Sequence, residues 1–323
     1  MDKIKKAFRE IKYYFNHLNR NLNYIHNRSG KMRIVLFFDI YYSMIRYGST
    51  INEYRIFEFE KTSCDKRKTF MTIFKHELML PYLNDKDKIS IITDKDIFYN
   101  KFKDYIKRDI YDVDKMSFKE YEDLVLKSKK VICKRKNGNY ATTYKVYDLK
   151  DFRSPAFLID QVKNDKRLIV EKCFNQKKEL NELNKDLVVI NIVSCYSSKV
   201  DIIAGSIKFK EGNETITGNI DLKNKCIKGH LKDMDGLNYS DSFEGFEIPK
   251  FDNIISLTEK LHHEIRDIKE IEWSFAISSR GTIYLLDANP WDDYVFSQTP
   301  EFLNNRVGLY PYYKRNKRKL KYY

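Results

Sequence analysis

Asp287 and Asn289 close the apolar run "GTIYLLDANP", residues 281–290. Side chains two residues apart in a strand point to the same side, so the carboxylate and the amide converge, and Pro290 stops the strand there. Two hard oxygen donors at the end of a buried strand suit a cation, magnesium carrying phosphates before others. The same letters are also turn formers, and alone they read first as a strand running out into a turn. Other residues change that balance. Lys95 follows the apolar stretch "KISIITDK", and Lys134 ends the apolar run of "ICKRKNGNY", ahead of the loop-forming Asn137-Gly138. Glu171 ends the run in "LIVEKCF", Lys208 sits inside "GSIKF", and Glu272 lies in "IEWSF". A lysine in an apolar strand needs an anionic partner or must reach water, and a glycine loop can lay backbone N–H groups over phosphates.

Positioning these residues takes strands and helices in a particular order. Residues 3–22 place Ile4, Ala7, Phe8, Ile11, Phe15, Leu18 and Leu22 at helical spacing between Lys and Arg, a basic amphipathic helix. "DIYYSMIRYG" continues as helix with Gly48 as its C-cap. "KISIITDK" reads as a short buried strand and "KDIFYNKFKDYIK" as the helix after it. "KKVICKRKNGNYATTYKVYDL" reads as a hairpin turning at Asn137-Gly138. "RLIVEKCF", "LVVINIVSC", "VDIIAGSIKFK" and "ETITGNIDLKN" read as strands, and "FDNIISLTEKLHHEIRDI" as an amphipathic helix. "EIEWSFAISSRGTIYLLDAN" closes the series as a hairpin turning at Arg280-Gly281. The expected architecture is α+β. Its divisions are a helical and mixed region over 1–93, a smaller unit over 94–170 bearing the hairpin, and a larger unit over 171–323.

Composition narrows the class. With 42% hydrophobic and 33% charged residues the chain is globular, and no apolar run reaches the ~20 residues that span a bilayer. The first residues lack the apolar core and cleavage site of a signal peptide. Five cysteines without C-x-x-C spacing point to reduced thiols in a cytoplasm and away from zinc. The net charge of +14 is diffuse apart from "YKRNKRKLKYY", so nucleic acid is the less favoured partner. The N-terminal helix and basic tail leave peripheral membrane contact open.

In colinear order, "FFDIYYSMIRYGSTINEYRIFEFEK", "RKTF", Asp94-Lys95, "FKDYIKRD" with Arg108, and "GTIYLLDANP" with Gln298 resemble the ATP-grasp superfamily. The likeness is to its sugar-transfer-associated members from polysaccharide biosynthesis, and it runs from about Phe38 to Gln298. "LIVEKCF" is similar to the adenine hinge of D-alanine–D-alanine ligases. The resemblance implies an ATP-grasp fold, two α+β subdomains clasping ATP between antiparallel sheets. It assigns Lys95 and Lys134 to the α- and β-phosphates and the loop at Asn137 and Gly138 to a cover over the triphosphate. Glu171, Lys172, Cys173 and Phe174 become the adenine hinge, with Glu179 for the ribose hydroxyls. Lys208 and Arg108 fall near the transferred phosphoryl, and Glu272, Asp287 and Asn289 hold Mg2+. The chain departs from the pattern at Ser274, where an acid is usual, at Asn191, where an arginine is usual, and in "NETITGNIDLKNKCIKG".

The function so implied is an ATP- and Mg2+-dependent carboxylate ligase. It would join an acid to an amine or hydroxyl acceptor, such as a glycan, through an acylphosphate in polysaccharide biosynthesis. Phosphoryl transfer needs positioning and charge neutralisation more than a protein nucleophile, which fits the lack of a Ser-His-Asp or Cys-His set. His262 and His263 read as satisfied surface or interface imidazoles on a helix. A sugar kinase on the same apparatus, and a degenerate basic scaffold on a membrane or RNA, are the alternatives.

Overall fold

A computed structural model describes residues 2–85, 87–128, 130–135, 144–164, 169–172, 175–212, 214–240, 243–290, 294–300, 303 and 305–322. Helices come first: α1 (Asp2–Ser29), α2 (Arg33–Tyr47), α3 (Ile51–Ile56), α4 (Cys64–Arg67) and α5 (Ile73–Leu83). Gly48 ends α2 at φ 67°, returning its N–H to the carbonyl of Met44, as a C-capping glycine should. Thr50 and Glu53 cap α3 reciprocally, and Glu53 also accepts from the N–H of Ile73 at 2.6 Å, tying α3 to α5. Phe57, Phe59, Phe70 and Tyr54 form the centre of this region's core.

Two short helices lead to the sheets: α6 (Ser90–Thr93) and α7 (Lys95–Ile106). "KISIITDK" is therefore turn and helix, not the strand expected; a short apolar run carries no period that separates the two. Asp94 caps α7, its carboxylate accepting from the N–H groups of Asp96 and Ile97, which fixes Lys95 as the first helical residue.

A four-stranded sheet in the order β1-β4-β2-β3 comprises β1 (Ile110–Asp112), β2 (Lys130–Lys134), β3 (Tyr144–Asp148) and β4 (Ile169–Lys172). Helices α8 (Phe118–Lys127) and α9 (Pro155–Asn164) accompany it, burying Leu124, Leu158 and Val162 against Val131 and Cys133. Lys134 stands opposite Tyr144, a register centred on position 139. The two runs expected to form a hairpin thus pair antiparallel, and the expected turn residues Asn137 and Gly138 lie outside the described residues. Because β4 pairs with β1 and β2, residues through Lys172 belong to this sheet.

The larger sheet is antiparallel in the order β11-β10-β5-β6-β7-β8-β9. Its strands are β5 (Val189–Tyr196), β6 (Val200–Glu211), β7 (Glu214–Asp221), β8 (Cys226–Lys232), β9 (Asn238–Ser240), β10 (Glu270–Ile277) and β11 (Ile283–Asn289). Gly281 takes φ 78° in the β10–β11 turn, where the sequence places it. One face packs against α7 and α10 (Phe251–His263), with Phe102 edge-on to Trp273 at 5.8 Å. The expected α+β architecture of two antiparallel sheets behind a helical N-terminal region is present. The segment after β4 crosses to the large sheet, where Gln176 bridges to Ser278 and the N–H of Lys177 donates to the carbonyl of Ile277. Helix α11 (Tyr310–Tyr322) packs on α5. Cys64, Cys133, Cys195 and Cys226 are free thiols, and no described helix is long and apolar enough to cross a membrane.

Candidate active site

Strands β10 and β11 pair with Glu272 opposite Asn289 and Ser274 opposite Asp287. Cross-strand partners share a face, as do residues two apart, so all four side chains stand on one side of the sheet. The same register continues across β5 with Asn191, β6 with Ser206 and Lys208, β7 with Thr217 and Asn219, and β8 with Lys232. This is the side away from Trp273 and Ile192. It is buried as well: Glu272, Asp287, Asn191, Lys208, Thr217, Asn219 and Lys232 are all withdrawn from water.

Two lysines form ion pairs with carboxylates on this face. Lys208 Nζ donates to Glu272 Oε1 at 3.0 Å. Lys95, 2% exposed, reaches from the start of α7 around the edge strand to an ion pair with Asp287 Oδ1, which also accepts from the N–H of Ala288 at 2.9 Å. Asp287 Oδ2 is buried with no partner among the described residues. Lys134, 1% exposed, ends β2 with its ammonium 5.2 Å from the centre of the Tyr99 ring, one turn along α7 from Lys95. Helix α7 thus meets a lysine of the small sheet and carries another to the carboxylate of the large one. An isolated buried ammonium or carboxylate is costly to hold, and pairing offsets part of that cost.

The remaining expected residues fall unevenly. Arg108, just beyond α7, donates through Nη2 to the carbonyl of Leu285 at 3.2 Å, two residues before Asp287 on β11. Glu171 and Lys172 end β4 opposite Ile132 and Val131, described here by backbone. Cys173 and Phe174 lie outside the described residues, as do Asn137 and Gly138. Glu179 sits in a 3-10 turn (Lys178–Glu182), exposed, where the ammonium of Lys177 holds its carboxyl below the usual range.

Ser274 and Asn191, two of the three places where the chain departs from the expected pattern, meet each other. Ser274 Oγ donates to Asn191 Oδ1 at 2.7 Å, so a buried neutral hydrogen bond stands where both side chains differ from the pattern. Sequence reading missed Thr217, Asn219 and Lys232 on this face. Thr217 Oγ1 and Asn219 Oδ1 are buried without partners among the described residues, while Asn219 Nδ2 donates to the carbonyl of Phe296 at 2.6 Å. The alternation in "ETITGNID", with Ile216, Gly218 and Ile220 on the other side, is the signal that could have found them. His262 is a core residue, not a surface one. Its Nδ1 meets Ser194 Oγ at 2.6 Å, its Nε2 meets the carbonyl of Ile268 at 2.8 Å, and burial lowers its pKa to about 4.

Among the described residues no three His, Cys, Asp or Glu side chains cluster as a metal site. Glu272, Asp287 and Asn289, on one face at the end of β11, offer two carboxylates and an amide, and Asp287 Oδ2 has no partner among the described residues. Oxygen-only donors of this kind suit magnesium and not zinc.

No family profile and no curated protein sequence matches the chain. Among the solved structures it resembles are synthetases and an ATP-grasp ligase. The N5-carboxyaminoimidazole synthetase from Staphylococcus aureus complexed with ADP is 12% identical at a TM-score of 0.41, covering 64% of this chain and 47% of that one. D-alanyl-alanine synthetase A from Vibrio cholerae is 10% identical at 0.41, covering 72% and 63%. The ATP-grasp ligase PsnB, complexed with a phosphomimetic variant of its minimal precursor, Mg and ADP, is 8% identical at 0.40, covering 67% and 56%. The chain spans less than two thirds of the length of each of these, and at such scores the likeness carries no argument beyond itself.

Proposed function

We propose that the chain is an ATP- and Mg2+-dependent carboxylate ligase of ATP-grasp type. It activates an acid as its acylphosphate and passes the acyl group to an amine or hydroxyl, on a glycan in cell-surface polysaccharide assembly. The observation that carries this reading is the pairing of Lys95 with Asp287 and Lys208 with Glu272 on one buried sheet face, beside Asn289. A magnesium triphosphate is the ligand whose charges match both halves of such pairs. Its phosphates suit the ammonium groups of Lys95, Lys134 and Lys208, and its cations suit Asp287, Glu272 and Asn289. When bound, metal and nucleotide supply an activated phosphoryl group and neutralise its developing charge. The chain's own part is to hold the lysines rigidly on α7, β2 and β6. It also keeps water from the face, with Glu270 at the start of β10 fastened by His76 of α5 and Tyr313 of α11. A lipid-linked glycan acceptor would bring the enzyme to a membrane from the cytoplasmic side.

Mg2+-ATP near a hundredfold over its dissociation constant should raise the melting temperature by roughly 5 °C. The rise should vanish with EDTA and in Lys134→Ala; no rise in the wild type defeats the proposal. With a panel of acids, hydroxylamine should trap an acyl hydroxamate as ADP is released. A stable phosphorylated sugar in its place would make the protein a kinase.

A further inference from the structure

Helix α2 is apolar on nearly every side. Leu36, Ile40, Ser43 and Tyr47 form the stripe that packs on the N-terminal core. At about 100° per residue, the arc opposite that stripe holds Met44, Phe37, Tyr41, Ile34, Ile45, Phe38, Tyr42 and Val35 in angular order. All are exposed, Phe38 at 61% and Ile45 at 71%. The patch continues onto α5. Phe74, 55% exposed, lies so close to the end of α2 that a Cβ added at Gly48 would come within 2.8 Å of its Cβ, and Ile73 and Leu78 are exposed beside it. Isolated apolar side chains on a surface are ordinary; a contiguous face of this make-up marks an interaction site.

Charge indicates what covers it. On the same helical wheel Arg33 and Arg46 border the arc, one on each side and one at each end, and both are exposed. The acid of this helix, Asp39, is turned to the side and neutralised. Arg67 grips it at 2.6 and 2.8 Å, and Tyr54 donates to it. The outward arc of α2 is therefore apolar with a basic rim and no uncompensated carboxylate, and the acid that borders the patch, exposed Glu77, lies on α5 beside Leu78. Two tyrosines on it present a ring and a hydroxyl together, which suits a boundary between hydrocarbon and water. A second copy of a chain carrying +14 would be repelled, whereas anionic headgroups are attracted to the rim. With 15 residues, α2 is about 22 Å long, too short to cross a bilayer core of about 30 Å and suited to lie in its plane.

We propose that α2, extended by the start of α5, docks the protein on a bilayer containing anionic lipid. The apolar arc sinks to the acyl boundary, and Arg33 and Arg46 reach back to the headgroups. This assignment rests on α2 and not on the basic helix α1 or the C-terminal tail, and it stands whether or not the nucleotide reading does.

The full chain should co-sediment with vesicles of phosphatidylcholine plus phosphatidylglycerol and bind phosphatidylcholine alone about tenfold more weakly. Phe38→Ser with Ile45→Ser should lower binding to the anionic vesicles by at least about tenfold. Circular dichroism and any Mg2+-ATP melting shift should stay unchanged. Arg33→Gln with Arg46→Gln should weaken binding at low salt and differ little from wild type at high salt. Wild-type protein that stays in the supernatant overturns the proposal, as does serine-substituted protein that sediments like wild type. A concentration-dependent dimer in sedimentation velocity, abolished by the same two serines, would give the face to a second copy and also overturn it.

Discussion

Along β10 of the seven-stranded sheet, Trp273 points to one face and Glu272 and Ser274 to the other, and both faces are buried. The Trp273 face is built for stability. Ile190, Ile192, Ile207 and Phe275 fill it with hydrocarbon under α7 and α10, and its polar cluster closes on itself. The Trp273 indole N–H donates to Ser194 Oγ at 2.9 Å, Ser194 meets His262, and His262 meets the carbonyl of Ile268. The Glu272 face holds lysine–carboxylate pairs and leaves Asp287 Oδ2, Thr217 Oγ1 and Asn219 Oδ1 without partners among the described residues. Hydrocarbon of similar volume in place of a buried ion pair is often neutral or stabilising. The two faces therefore differ in kind: one is filled with hydrocarbon and a closed polar cluster, the other holds ion pairs and unpartnered oxygens that folding alone does not require.

Substitutions can break that division, and the largest effect belongs to the apolar side. Trp273→Ala should lower the unfolding free energy by about 3–5 kcal/mol in urea melts while the folded fraction keeps its Mg2+-ATP response. Loss of the response without loss of stability would mean the two faces are not separable. On the polar side, Lys95→Met strands Asp287 and should cost about 3 kcal/mol, with Lys95→Met/Asp287→Leu regaining most of it. Both variants should lose the nucleotide shift, so the double variant would be stable and silent. A double variant as unstable as the single would make the pair a structural element.

The polar cluster of the apolar face gives the third test. Burial holds the His262 pKa near 4 against an ordinary 6.5. Between those values the unfolded chain binds the extra proton and the folded one does not. Stability is therefore full above about pH 6.5 and falls as pH drops toward 4, by up to about 3 kcal/mol. Urea melts across that window should show the slope, and His262→Gln should flatten it. The smallest effect is expected at the neutral pair: Ser274→Ala leaves Asn191 Oδ1 buried and unsatisfied, at about 1 kcal/mol. A much larger loss would show that Ser274 and Asn191 bear on more than each other.

Long periodic segments were legible from the chain. Most of the helix at 2–29, read as 3–22, the helix at 251–263, the strands from 189 to 221 and the β10–β11 hairpin follow from spacing and turn residues. Where the period was absent, reading failed: "KISIITDK" is too short to show one and is turn and helix, whereas the two alternating runs on either side of Asn137-Gly138 do pair as β2 and β3. The site was half legible. Lys208 and Glu272 stood out as charges inside apolar runs, and Lys95 and Asp287 as charges at the end of one. Thr217 and Asn219 look ordinary in a strand, and Glu179, a plausible acid by position, turns to water and Lys177.

Residue type and alternation determined which side chains could share a face and which strands were amphipathic, because both are local properties of an extended backbone. Only the tertiary structure decided that Lys95 meets Asp287 and Lys208 meets Glu272, that Ser274 and Asn191 satisfy each other, and that the polar face is buried. Those outcomes depend on strand order and on helix α7 wrapping the sheet edge, contacts between residues up to 192 apart that no local pattern encodes.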